Sequence, residues 1–432
     1  MTTQVGVGFS QLDNPVEAGR QAAQQALQPL ANRKPNLVLL LITSGMEQEQ
    51  VLAVLAEVRA VTGAAPLIGG CNSGIIVSRG AFTSGVAVLA LRSDEIQVVT
   101  DIVTGVDQNP ARNGRSLVRR LRAQRKETHR TSNELLLTLL DIQQDGLSTM
   151  VETMGNELGP LCRLVGGGIM DSTGRITRST FLNGEAYRKA VATALLLTPG
   201  PIGVRGGHGY KPLGRPLVVT RSEGDVVYEL DGRSAFQAYV EQFPEHPELV
   251  LENFGSFAMN YPLGIPQMGR EYIVRDPLQA RPDGSLEFGG PIPENAVVRI
   301  MEGDRKTLIQ SAKESAMEAM YLLKGRHPLL TLVFSCITRL NYLGEAAQEE
   351  VAVIREVVGA ETPLIGIFSF GEVGAQSDGP PTFHNKIRRW WWASSVNLNP
   401  RPITLSSVST GWLWSACLRL DIFPQRHNLL NI

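Results

Sequence analysis

Apolar runs occur three times along the chain, each in the same setting. Leu37 to Ile42 is followed by Thr43-Ser44-Gly45, a helix-like stretch and then Leu67-Ile68-Gly69-Gly70-Cys71-Asn72-Ser73-Gly74. Leu135 to Leu140 leads to Asp141 and on to Leu164-Val165-Gly166-Gly167-Gly168. A run from Leu329 ends in Phe334-Ser335-Cys336. It is followed by Leu364-Ile365-Gly366-Ile367-Phe368-Ser369-Phe370-Gly371-Glu372 and by Thr382-Phe383-His384-Asn385. About 30 residues separate each run from its glycine step, the length of one strand-helix-strand unit. Leu37 to Ile42, apolar at every position, suits a strand buried on both faces. The shared order of elements predicts an α/β fold with repeated strand-helix-strand units in mixed sheets.

The remaining pattern fills in around these units. Val5 to Phe9 reads as a strand and Pro15 to Leu27 as a helix with alanines on its inner face. Glu47 to Val61 has helical spacing and closes at Gly63, and Leu147 to Leu158 is a helix stopped by Gly159-Pro160. Phe82 to Leu91 and Ala190 to Leu197 read as strands, and Arg112 to Arg130 as a basic amphipathic helix with a solvated face. Glycine and proline are dense from Gly203 to Leu217, which marks a boundary. Beyond it, Tyr228 to Leu230, Glu271 to Asp276 and Ala296 to Met301 are expected strands. Ala235 to Gln242 and Leu308 to Leu323 are expected helices.

A length of 432 residues suggests more than one domain, and 43% hydrophobic with 19% charged residues describes a globular chain. The formal charge of −1 gives no overall pull toward nucleic acid or anionic lipid. Cys71, Cys162, Cys336 and Cys417 form no C-x-x-C pair, so neither a disulfide framework nor a thiolate zinc site is expected. No membrane span and no signal sequence is read, so a cytoplasmic location is expected. After Asn385 the composition changes. All 5 tryptophans follow it (Trp390, Trp391, Trp392, Trp412 and Trp414), and Lys386, Arg388, Arg389, Arg401, Arg419 and Arg426 face a single acid, Asp421. Where a closing strand like Ala190 to Leu197 belongs, the chain reads Lys386-Ile387-Arg388-Arg389-Trp390-Trp391-Trp392. The preferred reading is a segment foreign to the fold, ahead of a divergent edge strand or a basic-aromatic binding patch.

No catalytic set is recognisable. The glycine turns lack both G-x-G-x-x-G and Gly-Lys-Ser/Thr spacing, so a nucleotide site is not expected. Cys71 and Cys336 sit at equivalent ends, and His384 is the one histidine in a motif-like context; a cysteine nucleophile would need such a base. His129, His208, His246, His327 and His427 are scattered, with no metal-binding spacing. Glu372 could receive a ligand ammonium or cap a turn. Arg275 and Arg339 suit a ligand carboxylate, with surface ion pairs as the plainer reading.

The turn Leu67 to Gly74, Phe181-Leu182-Asn183-Gly184-Glu185 and Tyr272-Ile273-Val274-Arg275-Asp276-Pro277 resemble FIST (F-box and intracellular signal transduction) proteins. So do Val333-Phe334-Ser335-Cys336, Gly366 to Val373 and Phe383-His384-Asn385. The resemblance covers about residues 30 to 385. It implies a two-domain FIST-type architecture: an N-terminal domain over 1–225, a C-terminal domain over 226–389, and an atypical tail over 390–432. It also implies a sensory protein that binds a small molecule, with amino acids as proposed ligands. No effector module is visible, so a separate partner such as a histidine kinase or cyclase would carry the signal. The expected ligand-binding residues are Cys71, Asn72, Ser73, Arg275, Ser335, Cys336, Arg339, Phe368, Ser369, Glu372 and His384. A haem-bound nitric-oxide sensor with His384 as axial ligand is the alternative, and a cysteine enzyme the third; no catalytic residue and no metal site is assigned.

Overall fold

A computed structural model describes residues 3–125, 133–267, 272–375 and 381–384, and the backbone of 388–394. Residues 395–432, with Trp412, Trp414 and Cys417, lie outside the described residues. So do His129, Asn385, Lys386, Ile387 and His427, and the side chains of Trp390, Trp391 and Trp392.

The first repeat comprises β1 (Gln4–Ser10), α1 (Pro15–Leu27), β2 (Leu37–Thr43), α2 (Gln48–Thr62) and β3 (Leu67–Asn72). A hairpin of β4 (Ile75–Val77) and β5 (Gly80–Phe82) follows, then β6 (Val86–Arg92). The second repeats that order: β7 (Gln97–Thr104), α3 (Pro110–Ala123), β8 (Asn133–Asp141), α4 (Leu147–Leu158) and β9 (Cys162–Ile169). Its hairpin is β10 (Thr180–Leu182) and β11 (Glu185–Tyr187), and β12 (Ala190–Thr198) ends it.

The third begins with β13 (Ile202–Gly207) and is then interrupted by β14 (Lys211–Glu223), β15 (Val226–Leu230), β16 (Arg233–Ser234), α5 (Ala235–Val240) and α6 (Phe254–Ala258). The interruption continues through β17 (Leu263–Pro266), β18 (Tyr272–Arg275), β19 (Pro277–Ala280), β20 (Leu286–Phe288) and β21 (Val297–Glu302). It forms a sheet of its own over its own core of Leu217, Val227, Tyr239, Phe254 and Ile300. The third repeat then resumes with α7 (Arg305–Tyr321), β22 (Pro328–Cys336), α8 (Ile337–Leu343), α9 (Ala347–Val358) and β23 (Leu364–Ser369). The hairpin of β24 (Glu372–Gly374) and β25 (Thr382–His384) and the strand β26 (Arg388–Ser394) complete it.

Each repeat builds one six-stranded sheet in one order: first strand, last strand, the parallel pair, then a hairpin borrowed from another repeat. The three orders are β1-β6-β2-β3-β10-β11, β7-β12-β8-β9-β24-β25 and β13-β26-β22-β23-β4-β5. The second repeat lends its hairpin to the first sheet, the third to the second, and the first to the third. The exchange is cyclic, which gives the body a pseudo-threefold plan. Alternation along the strands explains the packing. Leu37, Leu39 and Leu41, Leu135, Leu137 and Leu139, and Leu330, Leu332 and Phe334 meet in one central core. Their alternate neighbours face outward under helices, as Val38, Leu40 and Ile42 do beneath α1 and α2.

One sequence expectation changes. The segment read as foreign contains the missing strand: Arg388–Ser394 lies between β13 and β22, antiparallel to both. Without it two facing strands would each present a row of unpaired backbone groups, and tryptophan is a favourable strand residue. The Gly/Pro-dense stretch from Gly203 to Leu217 is built as β13 and the start of β14, with the passage into the inserted sheet at His208-Gly209-Tyr210. The basic helix α3 has a solvent-facing row whose Arg119, Arg120 and Arg122, with Arg125 just beyond its end, pair at the surface with Glu157, Asp101 and Glu134.

Candidate functional site

The central core is apolar along most of its length and polar at one pole. One step beyond the inward leucines, β2, β8 and β22 end in Thr43, Asp141 and Cys336. Their register partners on the parallel neighbours are Asn72, Ile169 and Ser369. The three partner strands β3, β9 and β23 touch one another, so the carboxyl ends of all three parallel pairs converge. Glycine makes this convergence possible. A Cβ on Gly70 would lie 2.4 Å from Ile169 Cδ1, and one on Gly167 would lie 2.7 Å from Ser369 Cβ. The end residue of one repeat rests on the glycine of another.

The third repeat brings Cys336, Ser369, Glu372 and His384 to the pole, while Ser335, on the alternate face of β22, contributes its backbone carbonyl. Glu372 is buried, with Gly167 on one side and His384 on the other as its register partners. The Ser369 hydroxyl lies 2.7 Å from Glu372 Oε1 and 3.3 Å from the Ser335 carbonyl. His384 Nε2 contacts the Thr382 hydroxyl, and Cys336 Sγ lies 3.0 Å from the Thr338 hydroxyl. Phe368 faces outward into the core under α7 and α9, and its N–H donates to the Gly74 carbonyl at 3.0 Å. It supports the turn and stays off the pole.

Cys71, Asn72 and Ser73 form the first repeat's share. Cys71 points outward into the α1/α2 core. Burial, reinforced by the Asp171 and Asp141 carboxylates, pushes its thiol well above the ordinary cysteine range. Burial and then Glu134 likewise push Cys162 up to about 12. The Ser73 and Ser172 hydroxyls bond at 2.9 Å, and Ser172 N–H donates to Ser44 Oγ at 3.4 Å. These three hydroxyls form a half-exposed lip beside Asn72. Asn72 itself is fully buried, and neither Oδ1 nor Nδ2 meets a hydrogen-bond partner.

The two arginines are occupied elsewhere. Arg339 is wholly buried in an ion pair with Glu350, and its guanidinium also donates to the His208 carbonyl at 2.7 Å and the Leu308 carbonyl at 2.9 Å. It clamps α8 to α7, α9 and the end of β13 instead of waiting for a ligand. Burial lowers its pKa, against the opposing pull of Tyr210, Cys336 and Glu372. Arg275 donates to the Pro291 and Phe383 carbonyls, both at 3.1 Å. Burial brings it down to about 10, opposed by Asp225, Glu152 and Asp276. It ties the inserted sheet to β25, one residue from His384.

Asp141 escaped the sequence reading. It is buried and accepts from Gln143 N–H, the Ser179 hydroxyl and Lys189 N–H. Its place at the end of an apolar run, matching Thr43 and Cys336, was the available signal. Two open clefts lie away from the pole. One of about 380 Å³ is bordered by Lys211, Tyr261, Glu302 and Tyr342, where the inserted sheet joins the body. The other, of about 690 Å³, runs along Arg92 to Thr100. Among the described residues no group of three His, Cys, Asp or Glu could hold a metal ion. No helix among them is long and apolar enough to cross a membrane.

Family models for the FIST N domain and the FIST C domain match residues 36–233 and 235–375. An uncharacterised Mycobacterium tuberculosis protein, Rv0628c, is 26% identical over 89% of this chain and 96% of its own length. The uncharacterised Methanocaldococcus jannaschii protein MJ1623 is 22% identical over 71% of this chain and 62% of its own. Among solved structures, a cyanuric acid hydrolase aligns with 91% of this chain and 100% of that one, at 8% identity and a TM-score of 0.33.

Proposed function

We propose that this chain, which belongs to the FIST family through both of its domains, is a sensory protein that binds a small molecule at the polar pole of its central core. FIST domains are associated with sensory signal transduction. The observation that carries the ligand reading is the pole itself: Asn72, Asp141 and Ser369 at the carboxyl ends of parallel strands, where α/β sheets commonly take their ligands, with Glu372 and His384 on the adjoining hairpin, all buried. Amino acids and related small molecules suit it, because Glu372 can receive an ammonium and Asn72 and Ser73 can hold an acceptor group. The guanidiniums of Arg275 and Arg339 are not part of this recognition.

A ligand at the pole would act on β24 and β25, which carry Glu372 and His384. Arg275 passes that displacement to the inserted sheet through the Phe383 carbonyl, and a separate partner such as a kinase or cyclase would read it. The geometry lends little support to a haem ligated by His384. Nε2 is held at Thr382, and the hairpin is so close-packed that a Cβ on Gly371 would lie 2.3 Å from the Phe383 ring. The raised Cys71 thiol gives a nucleophilic role no support. The test is calorimetric titration of the full chain with amino acids and small carboxylates, repeated on Glu372→Gln. Binding that weakens tenfold or more in the variant supports the reading, and full-strength binding in the variant moves the ligand away from the pole.

A further inference from the structure

We propose that Asn72 is the recognition group of the pole, and that it selects a neutral cis-amide edge: a lactam, a ureide or a primary carboxamide. This inference rests on the pole being the ligand site. A buried amide offers one acceptor and two donors, and leaving them unmade is costly. In this chain Asn72 is fully buried, and neither of its polar atoms is satisfied. Its two pseudo-threefold equivalents do not share that condition. Ile169 has nothing to satisfy and packs in the central core. Ser369 bonds the Glu372 carboxylate at 2.7 Å. The repeat architecture therefore accommodates an apolar or a small satisfied residue at this position, and places no demand for an amide.

The chemistry of the complement follows from the geometry of a carboxamide. Its C=O and N–H lie side by side, so the group that satisfies both must present a donor next to an acceptor. A carboxylate offers acceptors alone and would leave Oδ1 unmet. A trans peptide bond points its N–H and C=O to opposite sides and can meet one atom at a time. A cis-amide edge meets both in a closed two-bond pairing. The route in that the proposal assigns is past the lip of Ser44, Ser73 and Ser172, of which Ser172 is exposed and the other two half-buried.

Hydantoin is a compact probe with cis-amide edges, and 1,3-dimethylhydantoin is the same ring without N–H donors. The full chain and its Asn72→Leu and Asn72→Ser variants are compared by thermal melting and calorimetry. Hydantoin is expected to raise the melting temperature of the parent while its dimethyl derivative does not. Asn72→Leu is expected to melt higher than the parent and to bind hydantoin at least tenfold more weakly, with Asn72→Ser, which borrows the residue of the third repeat, as the variant that keeps the test open if leucine misfolds. Melting lower than the parent in both variants would mean that ordered water already satisfies the amide, and would overturn the proposal. Tight binding of amino acids with no response to hydantoin would overturn the amide class and leave the pole reading standing. No response to any probe, or hydantoin binding unchanged in the variants, would sink it as well.

Discussion

Asn72 and Ser369 occupy the same place in two copies of one design, and they differ in a way the backbone does not explain. Each is the last residue of the second strand of a parallel pair, and each faces the pole where three sheets meet. Ser369 is tied to Glu372; the Asn72 amide is tied to nothing. The repeat fixes where a side chain points, and the individual residue decides what it can do there. Chemistry in this molecule therefore has to be sought in departures from threefold equivalence.

The equivalence is itself open to a severe test. A Cβ on Gly69, Gly166 or Gly366 would lie 2.2, 1.9 and 2.1 Å from the carbonyl oxygens of Leu40, Thr138 and Val333. All three positions face the backbone of the parallel neighbour, which cannot give way as a flexible side chain does. Each Gly→Ala change is expected to destabilise by roughly 3 kcal/mol or more, by similar amounts in all three repeats. A spread of severalfold in chemical denaturation would break the comparison.

The next effect belongs to the third repeat alone. His208 is held near a pKa of about 4, first by burial and then by the Arg339 charge. The unfolded chain takes up this proton near pH 6.5, so the contribution is complete above that pH and is lost as pH falls toward 4. The span corresponds to roughly 3 kcal/mol. His208→Asn keeps an acceptor for the Tyr210 N–H, which His208 Nδ1 accepts at 3.0 Å. It should flatten stability over this window relative to the parent. An unchanged slope in urea titrations at successive pH values would show that His208 does not titrate as its burial requires.

These tests separate what sequence could reveal from what it could not. The three parallel pairs were legible because apolar runs and glycine steps leave a local signature, and α1 and α4 could be read to their bounds from periodicity and stops. The cyclic exchange of hairpins was not, since β4, β10 and β24 are three residues long and pair with strands far away in the chain. The strand at Arg388–Ser394 was hidden by its composition: Arg and Trp disguise a position that only the open slot between β13 and β22 defines. Arginines were legible as functional by type, yet burial and four acceptor contacts make Arg339 a clamp. Asn72 was read as a polar residue of a turn; it is the last residue of β3, and its lack of a partner is a three-dimensional fact.

A smaller effect sharpens the contrast at Ser369. Removing its hydroxyl in Ser369→Ala deprives the buried Glu372 of its 2.7 Å donor and is expected to cost about 1–2 kcal/mol in denaturant titration. The Asn72→Leu change should have the opposite sign. If both variants lose stability alike, the two positions are equally satisfied and the asymmetry at the pole is gone.

The smallest effect separates an idle polar group from a selected one. Thr138 precedes the pole on β8, opposite Gly166, and its counterparts opposite Gly69 and Gly366 are Leu40 and Val333. Its hydroxyl is buried without a partner, as the Asn72 amide is. It faces away from the pole, however, because it alternates with the inward Leu137 and Leu139. Thr138→Val imports the residue of the third repeat, keeps the branched shape and removes the unmet hydroxyl. A gain of about 1 kcal/mol is expected, with no change in the response to any ligand. If Thr138→Val altered binding as strongly as Asn72→Leu, lack of a partner would no longer single out the pole, and the geometry that distinguishes inward from outward residues would have lost its bearing on recognition.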